Sequence, residues 1–113
     1  MLPKTYRLKL KNDFDKVFKG GKFVSQKFFT LGFAKNTLVF SRFAIVVPKK
    51  AAKLAVARNS IRRKAAEILR LNMDKIKTGY DMVFIGKAAV KGKKYQELMD
   101  DIGDLLEKAG LIK

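Results

Sequence analysis

Arg58, Asn59, Arg62 and Arg63 crowd into the stretch "ARNSIRR". A guanidinium is planar, permanently charged and weakly hydrated, and its fork of donors matches the oxygens of a phosphate. Asn59 both donates and accepts, so it can meet a base edge or a hydrated metal. The chemistry within reach of this cluster is therefore anion binding. Proton transfer and nucleophilic attack have little to work with, because the chain holds no His and no Cys. That removes the commonest general base, the commonest metal ligand and any thiolate. Ser25, Ser41 and Ser60 have no imidazole to activate them. The Gly-Lys pairs in "GKFVSQK" and "GKAAVKGK" lack the remainder of a phosphate-binding loop and are read as turns.

The arginines lie within "KKAAKLAVARNSIRRKAAEILR", Lys49 to Arg70, whose only acid is Glu67. Like charges one turn apart repel by a few tenths of a kcal/mol, so a surface helix ordinarily mixes its signs. The imbalance extends along the chain. Residues 1 to 94 hold 24 of the 26 Lys and Arg but five of the ten acids, a net charge of +19; residues 95 to 113 hold the other five acids. Solubility asks for a net charge of only about 2 to 8 in a small domain. An excess of this size favours a polyanion through counterion release and steering. No apolar run reaches the roughly 18 residues of a spanning helix. The start, "MLPKTYRLKLKNDF", lacks an apolar block followed by a small-residue cleavage site. The expectation is a cytoplasmic protein whose partner is nucleic acid rather than a membrane.

The elements that must hold the cluster follow from periodicity. A first helix starts near Asn12-Asp13, carries Phe14, Val17 and Phe18 on one face, and stops at Gly20-Gly21. Phe23 to Ala34 alternates like one or two strands, with a turn at Lys35-Asn36. Leu38 to Val47 reads as a further strand, apolar enough at its end to be central in a sheet, closed by Pro48. A second helix runs from about Leu54 or Ala55 to Asn72. At about 100° per residue, Ala57, Ile61, Ala65, Ile68, Leu69 and Leu71 share one side, while Asn59, Arg62, Arg63 and Arg70 share the other. "DMVFIG" reads as a short buried strand after a turn at Thr78–Tyr80. A last helix spans about Tyr95 to Ala109, with an apolar stripe from Leu98 to Ala109 and its five acids on a solvated outer face. The result is one domain over residues 1–113, an α/β (α+β two-layer) sandwich with a small mixed sheet. The phenylalanines on the strands are core by default. One or two at a sheet edge beside the arginine helix would form a stacking groove for single-stranded nucleic acid.

Four stretches in order, "LPKTYRLKLKNDFDKVFKGGK", "RFAIVVPKK", "ARNSIRRKAAEILR" and "GYDMVFIGKAAV" followed by a helix, make the chain resemble the bacterial ribonuclease P protein subunit over nearly its whole length. The third is the most specific: Arg58, Asn59, Ile61, Arg62, Arg63 and Glu67 match the family pattern. Ser60 stands where that pattern has a second Arg, Ala66 where it has the Arg before Glu67, and Gly32 where many members carry a strand aromatic.

The resemblance implies the element order αβββαβα with a left-handed βαβ crossover through the basic helix. It implies a protein subunit that binds the catalytic RNA of ribonuclease P and the 5′ leader of precursor tRNA. The RNA, with Mg2+, would perform the endonucleolytic cleavage that frees the tRNA 5′ end; the protein would contribute no catalytic side chain. Carried over by position, Arg58, Asn59, Arg62 and Arg63, with Lys49 and Lys50, would face the catalytic RNA. Phe14 and Phe18, with Phe29 or Phe33, would line a cleft for the leader. Neither a membrane nor DNA is an expected partner. A ribosomal-type structural RNA-binding protein is the alternative that shares the charge and the scale.

Overall fold

A computed structural model describes residues 2–113. Three helices and four strands follow in the order α1 (Lys11–Gly20), β1 (Lys22–Ser25), β2 (Phe29–Lys35), β3 (Arg42–Val46), α2 (Ala55–Leu71), β4 (Tyr80–Gly86) and α3 (Tyr95–Lys108). This is the αβββαβα order that the resemblance implies. The strands form one mixed sheet in the order β1-β2-β4-β3; β1–β2 and β2–β4 are antiparallel and β3–β4 is parallel. The parallel pair is joined through α2, which makes a βαβ unit.

Period-two geometry sends successive side chains to opposite faces of this sheet. Leu31, Phe43, Met82 and Phe84 point to one face and are buried with Ile61, Ala65, Ile68 and Leu69 of α2 and Leu98, Ile102, Leu105 and Leu106 of α3. The opposite face carries Val83, which is buried with Val17 of α1 and Leu8, beside the half-buried Phe14, Ala34, Ala44 and Ile85. Helix α1 alone lies on that second face, so it is only partly covered. Gly21 ends α1 where the chain passes against backbone: a Cβ there would fall 2.4 Å from the Val17 carbonyl oxygen and 2.7 Å from that of Phe33.

The strand expected over Leu38–Val47 differs in length and place. Residues 38 to 41 form a loop. The Asn36 side chain accepts the Leu38 N–H at 2.8 Å and donates to the Phe40 carbonyl at 3.2 Å, and this local pairing competes with a ladder. The strand itself, β3, is an edge and not central. The central positions belong to β2 and β4, and β4 is the strand with the near-continuous burial. Part of the β3 edge is covered by the N-terminal segment, whose Leu8 N–H donates to the Phe43 carbonyl at 2.8 Å. Helix α2 matches its expected span. Its faces do not match throughout: Leu71 is 55% exposed, whereas Ala66 is buried in the same cluster as Leu2.

Asp101 is also not part of a solvated face. It is 4% exposed and accepts three backbone N–H bonds, from Lys27 at 3.0 Å and from Phe28 and Phe29 at 3.1 Å. Burial pushes its carboxyl above the ordinary carboxylate range, and the three donors pull the other way. One side chain of α3 thereby ties down the turn between β1 and β2.

Candidate nucleic-acid interface

Helix α2 presents its basic residues in two conditions. Arg58 is half-buried and its Nη1 donates to the carbonyls of Ala52 at 3.0 Å and Lys53 at 2.8 Å. It therefore braces the segment that leads into the helix, and its role is partly internal. Arg62 donates to the Asn59 Oδ1 on the exposed side of the helix. Arg63 is exposed. The helix's acid, Glu67, is engaged by Arg70 through two hydrogen bonds, and Arg70 is the first cause that lowers the Glu67 carboxyl below its usual range. Among the described residues, the ion pairs involve none of Arg58, Arg62 and Arg63. Their counter-charge is left to be supplied from outside.

Lys49 and Lys50 are exposed just ahead of α2.

The arginines adjoin the partly covered face of the sheet. A groove of about 490 Å³ is lined by Arg7, Lys9 and Phe14 on one side, by Ala44 and Val46 of β3, and by Asn59, Arg62 and Arg63 of α2. One continuous depression thus joins the cationic ridge to the aromatic face of α1. On that face Phe14 and Phe18 stack at 6.4 Å between ring centroids, with 14° between planes. Beyond α1, Thr30, Ile85 and Val46 stand side by side on β2, β4 and β3, and none of them is buried.

The position of α1 is set by a partly buried ion cluster. Arg42 on β3 grips Asp81 of β4 with two bonds, at 2.9 and 2.8 Å, and its third nitrogen lies 3.1 Å from the carboxylate of Asp13 on α1. Asn36 donates to the same Asp81 at 2.9 Å. The bond to Asp81 is the leading cause that holds Arg42 above its ordinary pKa. Asp13 adjoins Phe14, so this clamp fixes the aromatic face against the sheet.

The two strand aromatics expected in the cleft belong elsewhere. Phe29 is 0% exposed and meets Phe84 edge-on at 6.4 Å, on the face packed against α2 and α3. Phe33 lies two residues further along the same strand, hence on the same face, against Tyr80. Neither shares a face with Phe14 and Phe18. The ring that does is Phe23 of β1, 6.1 Å from Phe18 with 21° between planes. The alternation around Phe23 carries the signal for it: Val24 points into the core, so Phe23 must point the other way.

Residues 2–110 match the family model for Ribonuclease P. The ribonuclease P protein component of Clostridium kluyveri is 40% identical over 110 residues, which cover 96% of this chain and 97% of that protein. The counterpart from Pseudanabaena is 36% identical and covers 99% of this chain and 97% of its own length. Among solved structures, the RNase P protein of Staphylococcus aureus superposes with a TM-score of 0.89 at 26% identity, covering 97% of this chain and all of the other. That of Thermotoga maritima gives 0.82 at 32% identity, covering 90% and 96%. The matches are ribonuclease P proteins and not ribosomal proteins, which removes the ribosomal-type alternative.

Proposed function

Because this chain belongs to the ribonuclease P protein family, we propose that it binds two stretches of RNA at once: the catalytic RNA along α2, and the 5′ leader of precursor tRNA along α1. The function of the family member is tRNA 5′ maturation within an endoribonuclease holoenzyme, so its partner is RNA. The proposal concerns which RNA meets which residues. The observation that carries it is the single groove lined by both Phe14 and the Asn59–Arg62–Arg63 ridge.

Arg62 and Arg63, with Lys49 and Lys50 beyond them, neutralise phosphates of the catalytic RNA. Asn59 orients Arg62 through their shared hydrogen bond and keeps its amide free to donate. Arg58 serves the same surface indirectly, by holding the Ala52 and Lys53 carbonyls that shape the approach to α2. The leader, single-stranded and therefore with exposed base faces, lies across Phe14 and Phe18 and the open sheet floor of Thr30, Ile85 and Val46. A chain anchored at both places holds the scissile phosphate of the precursor in register with the catalytic RNA. That is a contribution of positioning, which converts a loose encounter into a near-attack arrangement. Residues 1–113 act here as a single RNA-binding domain, in the cytoplasm.

The reaction is metal-dependent, and Mg2+ is the ion proposed. Asp13, next to the groove-lining Phe14, and Asp81 are committed to Arg42, and Glu67, next to the groove-lining Ala66, is engaged by Arg70. Among the described residues no three acids converge as a metal site. The chain's own donors do not fit the ion, so the RNA is the proposed holder. The chain's part is to lower phosphate repulsion around it.

The test compares a precursor tRNA bearing its full leader with the same precursor trimmed to the last leader nucleotide, each bound by the protein assembled on a bacterial ribonuclease P RNA. Phe18→Ala is expected to weaken binding of the full-leader precursor by about 1 to 3 kcal/mol, the worth of one stacked base. Binding of the trimmed precursor should be unchanged. Equal affinity of wild type and variant for the full-leader precursor would refute the assignment of the leader to α1.

A further inference from the structure

Phe23 is 45% exposed on the edge strand β1, as open as Phe18 at 46%. Its register partner on β2 is Gly32. The ring lies directly over that glycine: a Cβ on Gly32 would fall 2.5 Å from the ring's Cε2 and 3.0 Å from its Cδ2. Real Cβ contacts of this kind do not occur, so the ring occupies its seat because residue 32 has no side chain. Seated there, it extends the pair on α1 into a file of three near-parallel rings, Phe14, Phe18 and Phe23, spaced 6.4 and 6.1 Å apart.

The spacing says how such a file is used. A base inserted between two rings needs about 7 to 8 Å, two carbon contacts of about 3.5 to 4.0 Å each. The rings stand closer than that, so bases do not intercalate; they lie on the exposed faces and edges. Each added ring then lengthens the platform. Phe23 is the last of the file, beside the hydroxyls of Ser25 and Thr30, which lie 3.3 Å apart one register pair further along the same face.

A purely structural account exists: an aromatic across from a strand glycine covers bare backbone. Covering Gly32 uses one flank of the ring and leaves the residue nearly half open. Val24, the neighbouring side chain, already supplies the β1 contact with the core.

We propose that Phe23 is a third leader-binding platform and that Gly32 is its positioning residue, so that the cross-strand pair Phe23/Gly32 sets how far along the leader this protein holds its substrate. The proposal rests on the reading that the leader lies against Phe14 and Phe18.

The experiment uses the protein assembled with a bacterial ribonuclease P RNA and measures the Kd of the precursor with its full leader and trimmed to one nucleotide. Phe23→Ala is expected to weaken full-leader binding by about 5- to 150-fold, the equivalent of one lost base stack, with no change for the trimmed precursor. Phe23→Leu keeps apolar cover on Gly32 but not a flat π face, and is expected to show the same loss with an unchanged melting temperature. Gly32→Ala displaces the ring and should reproduce the leader-specific loss. In Phe23→Ala/Gly32→Phe an aromatic projects to the same space from the opposing strand, and binding should recover. Full-leader binding that is unaffected by Phe23→Ala, while Phe18→Ala reduces it, overturns the proposal and leaves the leader reading standing. Insensitivity to both variants overturns the two together. Equal losses for the two precursors, or a Phe23→Leu protein that binds like wild type, reduce Phe23 to a backbone cover. A double variant no better than Phe23→Ala removes the role given to Gly32.

Discussion

Replacing Arg62 and Arg63 together by alanine tests whether the ridge on α2 meets phosphate. Neither side chain is ion-paired within the described protein, and both line the groove. Each removes one expected phosphate contact. For every such contact the slope of log K against log salt falls by about 0.7 to 0.9, so the pair should flatten it by about 1.4 to 1.8. Between a given salt concentration and four times that value, wild type would lose about 7- to 12-fold more affinity than the variant. The assay is equilibrium binding to a bacterial ribonuclease P RNA across a salt series. Arg70→Ala serves as the internal control, because Arg70 already has Glu67 as its partner and should move the slope less. Parallel salt plots for wild type and the double variant would show that these guanidinium groups point away from the RNA, and the reasoning from their missing carboxylates would fail.

Three further outcomes follow from the internal contacts. Arg42→Ala leaves the buried Asp81 with its Asn36 bond and releases Asp13 on α1. Denaturant titration should show a loss of about 3 kcal/mol, toward the lower end for a broken buried pair because Arg42 is partly open; a loss below about 1 kcal/mol would mean a surface-like pair. Asp101→Asn replaces one of two acceptor oxygens that take three N–H bonds, and should cost about 1 to 3 kcal/mol by the same measurement. Burial raises the Asp101 pKa in the fold, so its titration favours the fold below the unfolded value and that advantage fades as pH rises through the raised one. Wild type should accordingly gain on the Asn variant as the pH is lowered from 7 to 4, and a shrinking gap would contradict this. Arg58→Ala should speed amide exchange in residues 51–55 and leave the salt slope almost unchanged, because Nη1 is bonded to backbone; a slope change as large as that of Arg63→Ala would return Arg58 to the RNA surface.

The parts of the fold that local rules govern were legible in the chain. Helix α2 packs one side against the sheet, so a 3.6-residue period located Ile61, Ala65, Ile68 and Leu69 in the core and Asn59, Arg62 and Arg63 outside it. Where a distant segment intervenes, the period misleads. Ala66 falls on the outer side of the wheel, yet it shares a buried cluster with Leu2, more than sixty residues earlier; Leu71 lies on the inner side but is exposed. The placement of β3 at an edge depends on which strands pair, and an apolar run looks the same in either position. Asp101 illustrates the same limit for charge. Its spacing among four other acids describes a solvated face, and only the turn between β1 and β2 supplies the N–H donors that bury it. The cleft aromatics turn on a matter of parity. Phe29 and Phe33 share one face of β2, Gly32 lies on the other, and the hairpin register brings Phe23 across to that second face. An aromatic-rich strand announces that rings are present, but the hairpin decides which of them share the face of Phe18.

The central claim is that this chain positions RNA and leaves the chemistry to it. The most direct measurement is cleavage of precursor tRNA at low Mg2+ by a bacterial ribonuclease P RNA, with and without the protein, alongside the protein alone. Cleavage at the mature 5′ end should be strongly stimulated by the protein, and the protein without the RNA should give none. Absence of stimulation, or cleavage by the purified chain freed of RNA, would contradict it.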